Sequence, residues 1–501
     1  MKIVDYSKNR ATFTDFYELT MLAGYLEEGF QEKTAVFDYF FRANPFNGGY
    51  TVICGIGDVI EYVRNLSFTE DEIEYLRSKN LFKENFFEWL NNFKFSGTIT
   101  GLLDGMIAFP NEPILTVEAN LAEAQLIETA LLNIANFQSL IATKASRVSY
   151  AASPGKVLEF GLRRAQGDGG MNASKAAMVG GCIATSNVRA GLEYGIPISG
   201  THAHSWVQSF STEIEAFRAY AKIFGNETVL LVDTYDTLNE GIQNAIIVAK
   251  ELQALDKTIK GVRIDSGDLA YLAVESARKL DNAGLEDLLI VLSNDLDEYL
   301  IESLTNQIQE ARFLKSKAEQ DFRNRVIQRL SYGVGTNLAT GGDQSSLGGV
   351  YKLVQIDNEP RIKISENISK ITNPAHKKLW RGYTDNGSFF ADIISLNSES
   401  CPEEGQIIYH PSSAIKRISI PREINFKPLH KTLMKNGKII SHDFTWKTSQ
   451  ERCKQSLEKI HQTYKRFLNP HVYKVSLSKE LFNLKLKLLK KHGKSFSSMN
   501  N

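Results

Sequence analysis

The sequence predicts an α/β protein built around an irregular parallel β/α barrel, and three observations predict it. Short apolar runs recur at Lys156–Phe160, Val229–Val232, Gly261–Ile264, Leu289–Leu292 and Tyr332–Val334. From Val229 onward they are spaced by about 30 residues with helical patterns between, which is the rhythm of βα units. Each run ends in polar or glycine-rich residues: Arg163, Asp233, Asp265, Asn294 and Gly335-Thr336. Parallel barrels carry their chemistry just past the C-terminal ends of their strands, so these groups mark one functional face.

The remaining elements follow in chain order. Thr14-Asp15 supplies N-cap chemistry for a helix over Phe16–Glu28. Ala35–Phe41 and Tyr50–Cys54 read as strands, Glu70–Ser78 as a helix, and 97–117 as strands and turns around Pro110 and Pro113. Residues 120–151 carry one long amphipathic helical pattern, and a further helix is expected over 171–184. Residues 306–330 are charged and helical in pattern, strands become irregular from Ile356, and 448–468 is again amphipathic. Three segments result: an N-terminal α/β segment over 1–150, the barrel over 151–355, and C-terminal segments over 356–501. The basic tail reads as a solvated helix end and frayed terminus rather than a nucleic-acid arm.

Composition narrows the function classes. Lys+Arg and Asp+Glu each count 58, so there is no basic excess of the kind nucleic-acid or membrane-surface proteins carry. A small-molecule ligand is expected, and no nucleic acid or membrane partner. Cys54, Cys182, Cys401 and Cys453 lie far apart without a C-x-x-C pair, against zinc and dithiol sites and in keeping with a reducing cytosol. The N-terminus lacks an apolar signal core, and no uncharged apolar run approaches the ~20 residues that span a bilayer. A cytoplasmic location is expected.

Four motifs carry chemistry. Gly200-Thr201-His202-Ala203-His204-Ser205-Trp206 holds two histidines two residues apart, which in a strand would point the same way. They suit a metal, a nucleophilic imidazole held by a carboxylate such as Asp233, or simply histidines satisfied in a polar loop; no third metal ligand is near in sequence. Val262-Arg263-Ile264-Asp265 alternates charged with apolar residues, so Arg263 and Asp265 face one way, either as a ligand fork and a ribose or magnesium carboxylate, or as an ion pair closing a strand end. Gly333-Val334-Gly335-Thr336, with Gly341-Gly342 and Gly348-Gly349, suits a phosphate cradle or an ordinary tight turn. Glu159-Phe160-Gly161-Leu162-Arg163-Arg164 places two cations after a strand, for a pyrophosphate or for separate surface partners.

Taken in order, TDFYELTM (14–21), FDYFFRANPFNGGY (37–50), EFGLRRAQG (159–167), GTHAHSW (200–206), LVDTYDT (231–237), GVRIDSGDL (261–269), LSND (292–295), GVGTNL (333–338), LGGVYKLV (347–354) and LNPHVYKVSLS (468–478) resemble the nicotinate phosphoribosyltransferase family over nearly the whole chain. The resemblance implies a type II phosphoribosyltransferase fold, an irregular barrel plus an α/β domain formed from N-terminal and C-terminal segments. It implies conversion of nicotinate and phosphoribosyl pyrophosphate to nicotinate mononucleotide and pyrophosphate, coupled to ATP hydrolysis through a phosphohistidine, with Mg²⁺ and ATP as cofactor and co-substrate. On this basis His204 is the modified histidine and Asp233 orients it. Arg263 and Glu159 join them as catalytic residues. Tyr17 and Phe160 sandwich the nicotinate ring, with Tyr17 crossing from the partner subunit of a homodimer. Arg163, Asp265 and Asn294 contact substrate, and Gly335 and Thr336 cradle the sugar phosphate. The segment 306–330 is longer than the loop the family leads one to expect before GVGTNL.

The nearest rival is a nicotinamide phosphoribosyltransferase, which shares the fold and the phosphohistidine. Thr185-Ser186-Asn187 offers neutral donors and no acid to accept from an amide, which favours nicotinate, with Ser186 in the base site. A non-catalytic homologue acting as a binding protein is the other alternative. An aldolase-type barrel would need a Schiff-base lysine at a strand end, and none stands out.

Overall fold

The computed structural model describes residues 11–310, 316–367, 370–413 and 415–493. They divide into two compact units: the residues up to Thr143 together with those from Ser346 onward, and Lys144–Ser345. These divisions fall earlier than the 150 and 355 read from the sequence. The second difference has a clear cause: the strand Val350–Ile356 pairs antiparallel with Thr34–Phe40 and so belongs to the first unit.

The Lys144–Ser345 unit is built on six parallel strands in the order Ala184–Thr185, Lys156–Glu159, Leu330–Val334, Leu289–Ser293, Gly261–Ile264, Val229–Leu231. All five apolar runs of the sequence are in it. The edge strand Ala184–Thr185 is two residues long, too short to leave a periodicity signal. Val262 and Ile264 are fully buried, while the side chains of Arg263 and Asp265 keep some exposure beyond them. The alternation therefore aims the charged pair away from the core.

The other unit joins the two chain ends. Its first sheet runs Glu359–Pro360, Val350–Ile356, Thr34–Phe40, Leu115–Asn120, Thr98–Gly101, Lys431–Lys435, Lys438–Ile439, so strands from both ends alternate. A second, six-stranded sheet is formed by residues between Lys377 and Leu477. The fold is thus an α/β barrel-type sheet plus an α/β domain from the N- and C-terminal segments. Among the described residues, no helix is long and apolar enough to cross a membrane.

Several helices differ from the sequence reading. The long helix over 120–151 is two, Leu121–Leu126 and Glu128–Ala152, broken at Ile127. The Thr129 N–H donates to the Glu18 carboxylate at 2.9 Å, so a side chain takes the place of the ladder there. The helix expected over 171–184 is Gly169–Val179; Gly181, at φ 113°, turns the chain into the edge strand. The 306–330 segment is the end of Glu298–Ile308 and a separate helix, Lys317–Arg329, capped by Ser316; residues 311–315 lie outside the described ones. Glu319 pins this second helix by accepting from Arg278 at 3.1 Å and Arg323 at 2.8 Å. The 448–468 helix is Trp446–Lys459 plus a short turn at Gln462–Lys465. The basic tail forms Lys479–Lys491 with Leu481, Phe482 and Leu489 buried, so it packs rather than being wholly solvated; the expected frayed end, 494–501, lies outside the described residues.

Candidate active site

The C-terminal ends of the parallel strands gather the polar groups of the Lys144–Ser345 unit. At the Lys156–Glu159 strand, Glu159 is buried and both of its carboxylate oxygens are engaged. It accepts from the Gly161 N–H, from Ser174 Oγ at 2.9 Å and from Thr185 Oγ1 at 2.5 Å. Glu159 therefore shapes the loop that presents Phe160 rather than offering a free oxygen. The Phe160 ring lies against the neighbouring strand because Gly333 has no side chain: a Cβ there would sit 2.5 Å from the ring. The Arg263 guanidinium stands 5.7 Å from the centre of that ring.

Arg263 is held on three sides. Nε donates to Ser293 Oγ at 2.8 Å, Nη1 to Thr201 Oγ1 at 2.9 Å and Nη2 to Asp265 Oδ1 at 3.1 Å. A guanidinium has five N–H donors, so two remain for a ligand. Ser293 also donates to Asp265 at 2.5 Å, which closes a ring of three residues across adjacent strands. The pair is thus an ion pair that also keeps spare binding capacity.

The two histidines do not act alike. They lie in a loop entering the short helix His204–Gln208, not in a strand, so they diverge. His202 is buried; its Nε2 accepts from the Leu231 N–H at 3.2 Å and its Nδ1 faces Ala203 O at 3.3 Å. Burial pushes its pKa down, which keeps it neutral as both contacts require. His204 is 41% exposed in its side chain; its Nδ1 lies 3.1 Å from Thr234 Oγ1 and its Nε2 4.0 Å from Asp233 Oδ1. Asp233 Oδ2 accepts from the Asp265 N–H at 2.8 Å and Ser266 Oγ at 2.7 Å. Its Oδ1 is buried, faces His204, and has no hydrogen-bond partner among the described residues. A buried carboxylate oxygen left open beside an imidazole is unusual in native structures and points to a working group. Among the described residues, no three or more His, Cys, Asp or Glu group to hold a metal by themselves.

The other expected residues are placed as follows. Asn294 is exposed at φ 130°, backbone strain at a strand end. Gly335 begins the short helix Thr336–Ala339, and Asn337 ties that turn to Asp295 O at 2.9 Å. Arg163 is exposed, with no hydrogen bond or ion pair to a described residue. Of Thr185, Ser186 and Asn187, the first is committed to Glu159 and the last to Gly170 O and Ala190 N, which leaves the half-buried Ser186 side chain. Tyr17 belongs to the other unit, on the helix Phe16–Glu27, and is 45% exposed. Ser293, Thr201 and Thr234 were missed by the sequence reading. All three sit inside or beside the quoted motifs, and adjacency to a charged strand end was the available signal.

Comparison with known proteins decides the relationship. The nicotinate phosphoribosyltransferase (NAPRTase) family model matches residues 156–388, and its N-terminal and C-terminal domain models match 12–136 and 376–485. The chain is 40% identical over 482 residues to nicotinate phosphoribosyltransferase of Bacillus subtilis, covering 94% of each protein. The chain belongs to the nicotinate phosphoribosyltransferase family. A family member from Caenorhabditis elegans is 36% identical, over 94% of this chain and 91% of that protein. The crystal structure of human nicotinic acid phosphoribosyltransferase superposes with a TM-score of 0.80 at 30% identity, covering 95% of this chain and 99% of that one. The family match spans every strand end described above.

Proposed function

We propose that the chain is a nicotinate phosphoribosyltransferase of NAD biosynthesis. It joins nicotinate to 5-phosphoribosyl 1-pyrophosphate, releasing pyrophosphate, and couples this to ATP hydrolysis through phosphorylated His204. The observation that carries the reading is the Arg263 guanidinium, beside the Phe160 ring and with two N–H donors unspent. A planar cation next to an aromatic face suits a planar aromatic carboxylate.

The same geometry favours nicotinate over nicotinamide. An amide NH₂ needs an acceptor, and the acid at this strand end, Glu159, already accepts three hydrogen bonds. Phe160 forms one face of the base, and Tyr17 of the partner protomer in a homodimer forms the other. Ser186 contributes a neutral hydroxyl at the base site. The sandwich holds the ring nitrogen in line with the sugar C1 while the C1–pyrophosphate bond opens, so the rate gain comes from positioning and electrostatics. Asp265 and Asn294 take the ribose side, Gly335 and Thr336 the 5-phosphate, and exposed Arg163 the departing pyrophosphate. Mg²⁺ bound with the pyrophosphate would neutralise its charge. Asp265, with its side chain 30% exposed, fits the single carboxylate such an ion commonly takes beside phosphate oxygens.

For the coupling step, the open Asp233 Oδ1, 4.0 Å from His204 Nε2, closes on the Nε2–H as positive charge develops on the ring and leaves Nδ1, beside Thr234, as the nucleophile. The γ-phosphoryl group of ATP moves to Nδ1 and ADP leaves; water later cleaves the N–P bond to give phosphate. The test is purified protein with phosphoribosyl pyrophosphate and labelled nicotinate or nicotinamide, with and without ATP. Nicotinate should be converted and ATP should increase the yield. Conversion of nicotinamide alone, or of neither base, would overturn the reading.

A further inference from the structure

The N-terminal motif spends its polar groups in an unexpected way. Asp15 stands at the N-cap of the helix Phe16–Glu27, yet its side chain does not cap that helix. It turns instead to Thr129, on the helix Glu128–Ala152, whose Oγ1 lies 2.9 Å from Asp15 Oδ2. Glu18, fully buried, converges on the same residue, with Oε1 2.9 Å from the Thr129 N–H and 2.6 Å from its Oγ1. Thr14 Oγ1 donates to the other Glu18 oxygen, and the Asp15 N–H reaches Thr129 Oγ1 at 3.3 Å. Two carboxyl groups thus meet one threonine. Between them on the helix lies Tyr17, 45% exposed, with its hydroxyl within hydrogen-bond reach of the same Thr129 and pushed up to about 12 by burial and by Glu128 and Glu18.

Burying Glu18 against this hydroxyl, with exposed Asp15 on its other side, is a costly way to join two helices, since an apolar side chain in place of Glu18 would do so without desolvating charge. What it supplies is direction. Hydrogen bonds at both ends of the Asp15–Glu18 turn fix the rotation of the helix about its axis, and a rotation of one residue swings a side chain through about 100°. The hydroxyl has one hydrogen, so both close contacts are hydrogen bonds only when one of the acids carries a proton.

We propose that Asp15, Glu18 and Thr129 form a latch whose role is to orient Tyr17 for the pyridine base, which makes Thr129 and Glu18 positioning residues. This rests on the reading of Tyr17 as one face of the base sandwich. The latch acts on base binding and leaves the sugar-phosphate contacts alone.

The experiment is steady-state kinetics on the full chain for Thr129→Val, Thr129→Ser, Tyr17→Ala and the Tyr17→Ala/Thr129→Val double variant. Thr129→Val keeps the shape and the backbone N–H but removes the hydroxyl. It should raise KM for nicotinate about fivefold, the equivalent of one lost hydrogen bond, with kcat and the KM for phosphoribosyl pyrophosphate within about twofold. Thr129→Ser should restore the value, and in the Tyr17→Ala background Thr129→Val should add nothing. Asp15→Ala, which takes the exposed carboxyl off Thr129 and leaves buried Glu18 in place, is the second variant should Thr129→Val fail to fold, and it should raise the same KM. An increase that persists without Tyr17, or a serine that fails to rescue, overturns the latch. If Tyr17→Ala raises KM but neither latch variant does, the latch alone is wrong. If Tyr17→Ala itself leaves KM unchanged, the sandwich reading falls and takes the latch with it.

Discussion

Two Arg–Asp pairs in this chain have the same chemistry and behave differently in space. Arg381 and Asp392 face each other across an antiparallel hairpin and are both buried. Arg381 Nε and Nη2 donate to Asp392 at 2.9 and 2.5 Å, Tyr473 adds a third donor at 3.0 Å, and the Phe389 ring stands 4.3 Å from the guanidinium. Lys377 in the same unit is equally committed, to Asp38 at 2.7 Å and to the carbonyls of Asn373 and Ala375. Arg263 and Asp265 sit at a strand end, partly exposed, with two guanidinium donors unspent and an open Asp233 oxygen nearby. The lesson is that access separates them: Arg381 also keeps unspent N–H donors, but its guanidinium is closed off from solvent between the Phe109 and Phe389 rings. A pair sealed in the core holds the fold, whereas a fixed pair at an open strand end with leftover hydrogen-bonding capacity is prepared for a ligand.

Breaking the buried pair should have the larger thermodynamic effect. Asp392→Ala leaves a buried guanidinium without its carboxylate and should cost about 3–5 kcal/mol, measured by chemical denaturation. Nicotinate KM of the remaining folded protein should stay within about twofold, and a selective KM effect would blur the distinction. A smaller effect sharpens it. Burial raises the Glu18 carboxyl to about 7, against Thr129 and Thr14 donors that pull it down; Glu128 on the neighbouring helix raises it further. A carboxyl raised in the folded state contributes stability below its unfolded pKa near 4.5 and loses it as pH rises through about 7. Wild type should therefore lose about 1–2 kcal/mol relative to Glu18→Gln between pH 5 and 8. Parallel pH–stability curves for the two proteins would contradict this.

Much of this was legible in the sequence, and the exceptions are instructive. The barrel strands were readable because buried parallel strands are short apolar runs with polar ends. The Arg263–Asp265 face followed from alternation. For the histidine pair the spacing left strand and loop open, and the structure decides for a loop entering a helix, where His202 is satisfied by the backbone and His204 diverges from it. The break at Ile127 left no glycine or proline; it is made by a tertiary contact, Glu18 on Thr129, 111 residues away in sequence. The roles of Ser293, Thr201 and Thr234 were hidden for the same reason. A hydroxyl's work depends on what it faces, and no local pattern records that.

The most direct measurement is kcat/KM for nicotinate in Arg263→Lys, with Tm recorded on the same sample. Lysine keeps the charge but loses the planar fork. The account predicts a fall of about 100-fold or more, with Tm within about 3 °C of wild type. Undiminished kcat/KM would show that the guanidinium beside Phe160 is not where the base is held.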